Sequence, residues 1–246
     1  MDAIHPNTIA LIRRLEAIAS LTAEERAALL RLPMRLQTVP PRHDIVVEGN
    51  TPSECCLVVE GFVCRYTLTA EGKRQIHSFH IPGDIPDLQS LHLTVMDHNL
   101  GTITASKLAF MAHEALRRLI RDHPRLGDLF WRDTLIDAAV FRQWMVSMGR
   151  RSAYSHMAHL MCELLVRLRA VELVEDHTFK LPVTQVDLAD ALGLSPVHVN
   201  RVLQELRGNG LITLRGGAVH VLNWEGLKAA CDFNPTSLHL ARNENL

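Results

Sequence analysis

The chain has 246 residues, of which 47% are hydrophobic and 22% are charged, so it is long enough for one or two globular domains. Its formal net charge of −1 excludes binding to nucleic acid by bulk positive charge alone. No apolar run approaches the ~20 residues of a membrane-spanning helix, and the N-terminal sequence MDAIHPNT lacks the pattern of a secretory signal peptide.

The five cysteines form neither a CxxC pair nor a zinc-ligand spacing. They are Cys55, Cys56, Cys64, Cys162 and Cys231. A reduced, cytoplasmic protein is the simplest interpretation. An iron–sulfur cluster needs about four clustered thiolates, and the first 54 residues contain none, so we do not expect a cluster.

Two short helices are predicted in residues 7–32. Leu11, Leu15 and Ile18 have helical spacing, and Thr22 with Glu25 three residues later forms a capping box that begins the second helix.

Residues 34–111 have the pattern of short strands separated by glycine turns, such as Glu60-Gly61 and Pro82-Gly83-Asp84. The predicted strands are 35–39, 44–48, 56–60, 62–68, 74–79, 101–105 and 107–111. Many short strands with glycine turns indicate an antiparallel sandwich or roll.

A long helix is predicted after Pro124, because residues 128–148 contain neither proline nor glycine. One set of residues repeats at steps of three and four, which is typical of a coiled-coil seam between two chains. This predicted dimer interface is Trp131, Thr134, Ala138, Phe141, Met145 and Met148. A second stripe, Leu129, Ile136 and Val140, is expected to pack on the chain's own sheet. The alternative is a core helix within one chain.

Gly149-Arg150-Arg151 interrupts this pattern and is the predicted hinge, after which a helix is expected over residues 153–171. Four arginines near this point are candidates for contacts with DNA phosphates. They are Arg150, Arg151, Arg167 and Arg169.

Residues 181–207 predict two short helices joined by a tight turn. Thr184 with Asp187 begins the first, Gly193 suits its end, and Ser195-Pro196 begins the second. The first helix is expected to bury Val186, Ala189 and Leu192, and the second to bury Val199, Val202, Leu203 and Leu206.

The opposite side of the second helix carries Asn200, Arg201 and Gln204, with His198 at its leading edge. Such groups match base edges in the major groove, where arginine suits guanine and asparagine or glutamine suits adenine. A solvated polar face on an ordinary helical hairpin is the alternative.

Two apolar runs, 211–214 and 218–222, flank Gly216-Gly217 and predict a β-hairpin. A helix-turn-helix followed by a hairpin is a winged helix-turn-helix, which is more specific than either part. A last short helix over 224–231 and a partly ordered tail over 232–246 complete the chain.

The order of these parts resembles the Crp–Fnr family of bacterial transcription regulators over nearly the whole chain. The matching motifs are VEGN at 47–50, VEGF at 59–62, PGDI at 82–85 and TQVDLADALGLSPVHVNRVLQELRGNGLI from residue 184. The resemblance implies an α+β fold with an N-terminal double-stranded β-helix, or β-roll, like a cyclic-nucleotide-binding domain. It further implies a long dimerisation helix at about 125–149 and a C-terminal winged helix-turn-helix domain, with domains at 1–149 and 150–246.

The family resemblance also implies a homodimer on a palindromic DNA site. Ser195 and Arg201 match the family's recognition helix, whereas Pro196 and Val197 replace its arginine and glutamate. We therefore expect a different half-site, with Val197 able to contact a thymine methyl group. The expected DNA-binding residues are Thr184, Gln185, Ser195, Val197, His198, Asn200, Arg201 and Gln204.

The nucleotide-binding signature of the family is not matched. Pro86-Asp87 stands in place of Gly-Glu, the segment near His98-Asn99 lacks Arg-Ser, and no arginine lies between Arg74 and Arg117. Since a buried phosphate needs a cationic partner, cyclic AMP binding is not expected and the effector is unknown. The candidate effector pocket is Asp84, Asp87, Leu88, Gln89, His98 and Asn99.

Two other functions stay open. A cupin-like metal-dependent enzyme would use histidines of the roll, but His77 and His80 break the strand alternation that would aim both at one metal. A haem or metal site could use His77, His80, His92 or His98. The other alternative is a DNA-binding protein that no longer responds to an effector and binds DNA constitutively.

The sequence predicts no catalytic residue, metal or cofactor. The expected partners of the protein are double-stranded DNA, a second copy and, for an activator, RNA polymerase, but no membrane.

Overall fold

The computed structural model describes residues 8–241, so the expectations for the first seven residues and for the end of the tail, 242–246, lie outside the described residues. Helix α1 is Ile9–Ile18 and helix α2 is Ala23–Leu30. The predicted capping box begins α2: the Glu25 N–H donates to Thr22 Oγ1 at 3.2 Å, and the Thr22 N–H donates to Glu25 Oε2 at 2.8 Å.

Seven strands then form a β-roll of two antiparallel sheets, in the orders β1-β7-β3 and β2-β6-β4-β5. The strands are β1 (Arg35–Val39), β2 (Asp44–Val46), β3 (Glu54–Glu60), β4 (Val63–Leu68), β5 (Arg74–His80), β6 (Asn99–Thr102) and β7 (Ser106–Ala112). The predicted antiparallel roll is confirmed, and the strand ends differ from the predicted ones by no more than about three residues.

The Pro82-Gly83-Asp84 turn fixes α1 against the roll. Gly83 has φ +100°, and a Cβ at this position would lie 2.7 Å from the Ala10 carbonyl oxygen. Only glycine permits both this conformation and this close approach. A 3₁₀ turn, Leu88–Leu91, follows.

Helix α3 is His113–Asp122 and helix α4 is Pro124–Arg150, with Pro124 at the first helical position, where its missing N–H costs nothing. The helix continues through Gly149, because a single glycine costs only ~1 kcal/mol in a helix. Arg151, in an extended conformation, ends it. Helix α5, Ala153–Ala170, starts after the N-cap Ser152.

The C-terminal part contains helices α6 (Gln185–Leu192), α7 (Pro196–Gly208) and α8 (Trp224–Ala229). The hairpin of β9 (Ile212–Arg215) and β10 (Ala218–Val221) is present, and β8 (Thr178–Lys180) adds a third strand against β10. Three residues are too few to give a periodic signal, so β8 was not predicted.

The tail is folded up to residue 241, and the rest of the segment that was expected to be partly ordered, 242–246, lies outside the described residues. The folded part forms a 3₁₀ turn, Pro235–Leu238, and buries Leu238 and Leu240. The Ala241 N–H donates to the Ala17 carbonyl at 2.8 Å, which anchors the tail on α1.

A single apolar core joins the roll to the C-terminal domain. Phe79 of β5 packs edge-on against Trp144 of α4, with ring centroids 5.9 Å apart, and the same cluster includes Met157 and Leu160 of α5. The two domains therefore pack directly on each other. Among the helices of residues 8–241, none is both long and apolar enough to cross a bilayer.

Candidate functional site

The helix-turn-helix is formed by local capping. Thr184 and Asp187 form the capping box of α6, and Gly193 ends this helix in the left-handed conformation at φ +66°. Ser195 caps α7 by accepting a hydrogen bond from the His198 N–H at 3.2 Å. These contacts set the tight turn between the two helices.

The predicted recognition surface lies open to solvent. Val197 is 81% exposed. The remaining predicted DNA-binding residues are exposed or half-buried: Thr184, Gln185, Ser195, His198, Asn200, Arg201 and Gln204. Asn200 Nδ2 donates to Gln185 Oε1 at 3.4 Å, so the structure brings the N-terminal ends of α6 and α7 together.

Arg201 is exposed and has no ion-pair partner within residues 8–241. Behind it, Val199, Val202, Leu203 and Leu206 are buried, as predicted. The guanidinium donors of Arg201 are therefore available to an external acceptor.

The predicted buried face of α6 is wrong at Val186, which is 51% exposed. The helix buries Leu188, Ala189, Ala191 and Leu192, and helical geometry places Val186 on the far side from the centre of this group. Val186 thus adds an apolar side chain beside Gln185 on the open surface. Sequence spacing alone predicted that Val186 is buried, because Val186, Ala189 and Leu192 follow one another at intervals of three residues.

The predicted dimer seam is an exposed apolar stripe along α4. Trp131 is 63% exposed, and the other members are exposed or half-buried: Thr134, Ala138, Phe141, Met145 and Met148. Leu135 and Val146 are exposed as well and widen the stripe. The opposite stripe of Leu129, Ile136 and Val140 is buried within the chain.

A small cavity of about 30 Å³ lies between α1, the roll, α4 and α5. Of the candidate pocket residues, Asp84, Leu88 and Gln89 line it, whereas Asp87, His98 and Asn99 are not among the lining residues. The Cys56 N–H donates to Asp87 Oδ1 at 2.8 Å, and the Glu48 N–H donates to Asn99 Oδ1 at 3.0 Å. His98 pairs with Asp97 instead.

Burial raises the pKa of Asp87 to about 7, against the opposing effect of the Cys56 N–H. This carboxyl is almost fully buried and has no arginine within hydrogen-bond reach among the described contacts. Asp87 therefore has a structural role, as the acceptor for the Cys56 N–H, and does not line the cavity.

Three arginines that sequence reasoning did not place here line the cavity: Arg14 from α1, Arg65 from β4 and Arg167 from α5. Arg167 Nη2 contacts Asp84 Oδ2 at 2.7 Å, and Arg14 Nη2 contacts Asp133 Oδ1 at 2.8 Å. Arg65 pairs with Asp137 of α4. Each arginine in the cavity is thus already paired with a carboxylate of the same chain.

The placement of Arg167 overturns its predicted contact with DNA phosphate. Its side chain is 6% exposed, and it also donates to Glu163 Oε1 at 2.8 Å and to the Phe79 carbonyl at 3.0 Å. Burial alone would raise the pKa of Asp84, but Arg167, His80 and Arg14 outweigh it and hold that pKa well below its usual range. The Asp84–Arg167 pair therefore stays ionised and ties the roll to α5.

The buried network extends to α4, because Trp144 Nε1 donates to Glu163 Oε2 at 2.7 Å. Burial raises the pKa of Glu163 despite the neighbouring Arg167. In residues 8–241, no group of three or more histidine, cysteine, aspartate and glutamate side chains is arranged to hold a metal ion. All five cysteines are buried free thiols.

Comparison with known proteins gives two family matches. Residues 36–123 match the cyclic nucleotide-binding domain, and residues 156–230 match the Crp-like helix-turn-helix domain. The chain is 31% identical over 168 residues to the nitrogen fixation regulation protein FixK of Bradyrhizobium diazoefficiens, covering 68% of this chain and 69% of that protein.

It is also 27% identical over 203 residues to FixK of Rhizobium meliloti, covering 81% of this chain and 89% of that protein. The fold is similar to the structure of FixK2 from Bradyrhizobium japonicum, with a TM-score of 0.75 and 22% identity over 82% of this chain and 100% of that one.

Proposed function

Because the chain belongs to the Crp–Fnr family of DNA-binding transcription regulators, we propose that it binds a palindromic DNA site as a homodimer and does so without a cyclic nucleotide. The observation that carries this proposal is the contrast between an open recognition surface with an unpaired Arg201 and a sensory cavity filled by paired side chains.

The dimer is proposed from the exposed stripe on α4. Monomeric proteins seldom expose large contiguous apolar patches, and Trp131, Phe141, Met145 and Met148 follow one face of a 27-residue helix. Pairing two such helices would bury this face. A dimer then carries two α7 helices, which suit half-sites about one helical turn apart, roughly 34 Å.

Base reading is assigned to the N-terminal half of α7. Arg201 is proposed to donate to a guanine, and Asn200 and His198 to contact neighbouring bases. Val197 supplies an apolar contact for a thymine methyl group. Thr184, at the N-terminus of α6, is proposed to meet a phosphate, where the helix dipole also favours negative charge.

Independence from cyclic nucleotides is proposed from the contents of the cavity. A space of about 30 Å³ holds about one water molecule. A cyclic phosphate would have to displace Asp84, Asp133 or Asp137 from an arginine that each already pairs with. The local segment lacks an arginine, but three arginines reach the cavity from elsewhere in the chain. The proposal therefore rests on the pairing of these arginines with carboxylates.

The proposed setting follows from this activity. A regulator that binds chromosomal DNA acts in the bacterial cytoplasm, and an activator would also contact RNA polymerase. The relatives are regulators of transcription, and we propose no catalytic activity for this chain. Because the described residues offer no clustered metal ligands, the cupin-like enzyme has no support beyond the resemblance of rolls.

Phe141→Asp tests the dimer. It places a charge in the middle of the α4 stripe, so the variant should be monomeric by light scattering and should bind the palindrome at least about 100-fold more weakly, while its affinity for a single half-site changes little. Leu36→Asp is the matched control, because Leu36 is an exposed apolar residue on β1, an edge strand of the sheet β1-β7-β3. A Phe141→Asp protein that is still dimeric would refute the proposed interface.

A further inference from the structure

We propose that Arg74, a residue of the sensory roll, is a positioning residue for DNA recognition, because it holds the first helix of the helix-turn-helix in a fixed orientation. This inference rests on the proposed function of α7 in reading DNA. It assigns a role in recognition to a residue more than 100 positions away in the sequence from α6.

The contact is a two-carboxylate clamp. Arg74, at the start of β5, donates from Nη2 to Asp187 Oδ1 at 2.6 Å and from Nε to Asp190 Oδ2 at 2.7 Å. Asp187 and Asp190 lie about one turn apart on α6, so one planar guanidinium bridges both. The neighbouring Gln75 donates from Nε2 to the Ala191 carbonyl of the same helix at 3.3 Å.

Asp187 also belongs to the capping box at the N-terminus of α6. It accepts hydrogen bonds from the Thr184 N–H at 3.0 Å and from the Thr184 hydroxyl at 2.6 Å. Burial would raise the pKa of Asp187, but the bonds from Thr184 and Arg74 outweigh it and lower that pKa. Arg74 therefore binds the ionised carboxylate of Asp187 at the N-terminal end of α6, which is the end proposed to contact DNA.

The clamp orients the recognition surface without covering it. Asp187 and Asp190 face the roll, whereas Gln185 of α6 and Arg201 of α7 are exposed. Asn200 reaches Gln185 across the two helices, so a rotation of α6 would shift a residue proposed to read a base. For this reason we assign Arg74 a positive role in recognition, and not the role of an inhibitory latch.

Removing Arg74 also changes the charge near the DNA, and this effect on affinity has to be distinguished from the loss of a fixed orientation of α6. Removal of Arg74 leaves two carboxylates unpaired near the DNA-facing end of α6, and their repulsion of phosphate would weaken binding to every sequence. Asp190→Asn separates the two effects. If repulsion is what matters, removing a negative charge should strengthen binding; if position matters, losing one arm of the clamp should lower preference for the correct site.

The experiment compares wild type, Arg74→Ala, Arg74→Lys and Asp190→Asn for affinity to the preferred palindrome and to a scrambled duplex over a range of salt concentrations. Lys73→Ala is the matched control, because Lys73 pairs only with Glu71 in the exposed β4–β5 turn. Wild-type protein that selects no site would contradict the proposed function before any variant is compared.

Arg74→Ala should bind the palindrome about tenfold more weakly and lose about the same factor in the ratio of specific to scrambled affinity. The slope of log affinity against log salt should stay unchanged, because the Arg74 donors are used by carboxylates and not by phosphate. Arg74→Lys should recover part of the loss, since one ammonium cannot replace the two-armed guanidinium. Asp190→Asn should also lose specificity, by about threefold.

Three results would overturn the proposal: an unchanged specificity ratio in Arg74→Ala, tighter binding by that variant, or a salt slope reduced by about one, which would indicate a direct phosphate contact. A measurement without DNA gives a second test. Hydrogen exchange of the α6 amides should be about tenfold faster in Arg74→Ala and unchanged in Lys73→Ala. Equal exchange in the two variants would show that no clamp holds α6.

Discussion

The arginine-lined cavity of the roll and the proposed recognition surface use the same kinds of side chain in opposite ways. In the cavity, Arg14, Arg65 and Arg167 are each paired with a carboxylate of the same chain. On the recognition surface, Arg201 is exposed and has no such partner in the part of the chain that the structure describes. One region pairs its charges internally, although Arg14 Nε and Asp133 Oδ1 lack a hydrogen bond among the described residues. The other region leaves its cation exposed.

This difference separates stability from binding. A buried ion pair is costly to break, because its remaining partner stays uncompensated in a region of low polarity. An exposed arginine contributes little to folding stability, and its hydrogen bonds contribute to binding only when a ligand supplies the acceptors. Variants of the two regions should therefore affect different measurements.

Arg167→Ala should have the largest effect on folding. It leaves Glu163 buried without its cation and leaves Asp84 with Arg14 at 3.7 Å and His80 at 3.5 Å. Removing one partner of a buried pair typically costs about 3–5 kcal/mol. Urea unfolding at a fixed protein concentration measures this loss. Arg169→Ala, two residues along the same helix, is the control. In the described part of the chain its side chain hydrogen-bonds only with His177, at 3.1 Å, so this variant should cost less than about 1 kcal/mol. Equal losses would contradict a special role for the buried network.

Asp87→Asn should change the pH dependence of stability. The folded pKa of Asp87 is raised to about 7, above its unfolded value of about 3.9. The protonated form therefore stabilises the fold fully below about pH 4, and this stabilisation is lost as pH rises through about 7, by about 1.4 kcal/mol per pH unit.

The asparagine variant lacks this titration, so its stability relative to wild type should rise from pH 4 to pH 7, with the asparagine protein the more stable at pH 8. Unfolding curves at several pH values provide the test. Asp97→Asn is the control. Partial burial raises the pKa of Asp97, but the hydrogen bond from His98 outweighs it and lowers that pKa. Asp97 therefore titrates below about pH 4, and the stability of this variant relative to wild type should stay nearly constant from about pH 4 to about pH 7. A parallel pH profile for Asp87→Asn and wild type would show that Asp87 is ionised in the fold.

Arg201→Ala should leave the unfolding free energy within about 0.5 kcal/mol of wild type, as is usual for exposed positions. DNA binding should lose about 1–3 kcal/mol, and preference should relax at one base position. Competition with duplexes substituted one base at a time measures both quantities. Affinity for the palindrome equal to that of wild type would remove Arg201 from the proposed recognition helix.

The recognition helices could be predicted from the sequence because their determinants are local. Thr184 with Asp187, Gly193, and Ser195 with Pro196 lie within 13 consecutive residues, and each sets a helix end through contacts a few positions away. The apolar stripe of α7 and the exposed stripe of α4 likewise follow from spacing along one helix.

The cavity could not be predicted in the same way, because its contacts are long-range. Arg167 and Asp84 are separated by 83 positions, and Arg65 and Asp137 by 72. Local signals did exist: Glu163 and Arg167 form an i, i+4 pair in a largely apolar part of α5, and Arg14 lies within the stripe of Leu11 and Leu15. A charged residue on a buried helix face indicates a buried partner, but the sequence does not identify that partner.

The most direct test of the account is selection of preferred sites from a pool of random duplexes by the purified protein, with and without cyclic AMP. A filled cavity and an open recognition surface predict the same palindrome, enriched to the same extent in both conditions. Enrichment only with cyclic AMP would show that the arginine–carboxylate pairs open for the nucleotide. Enrichment of no sequence in either condition would contradict the proposed recognition by α7.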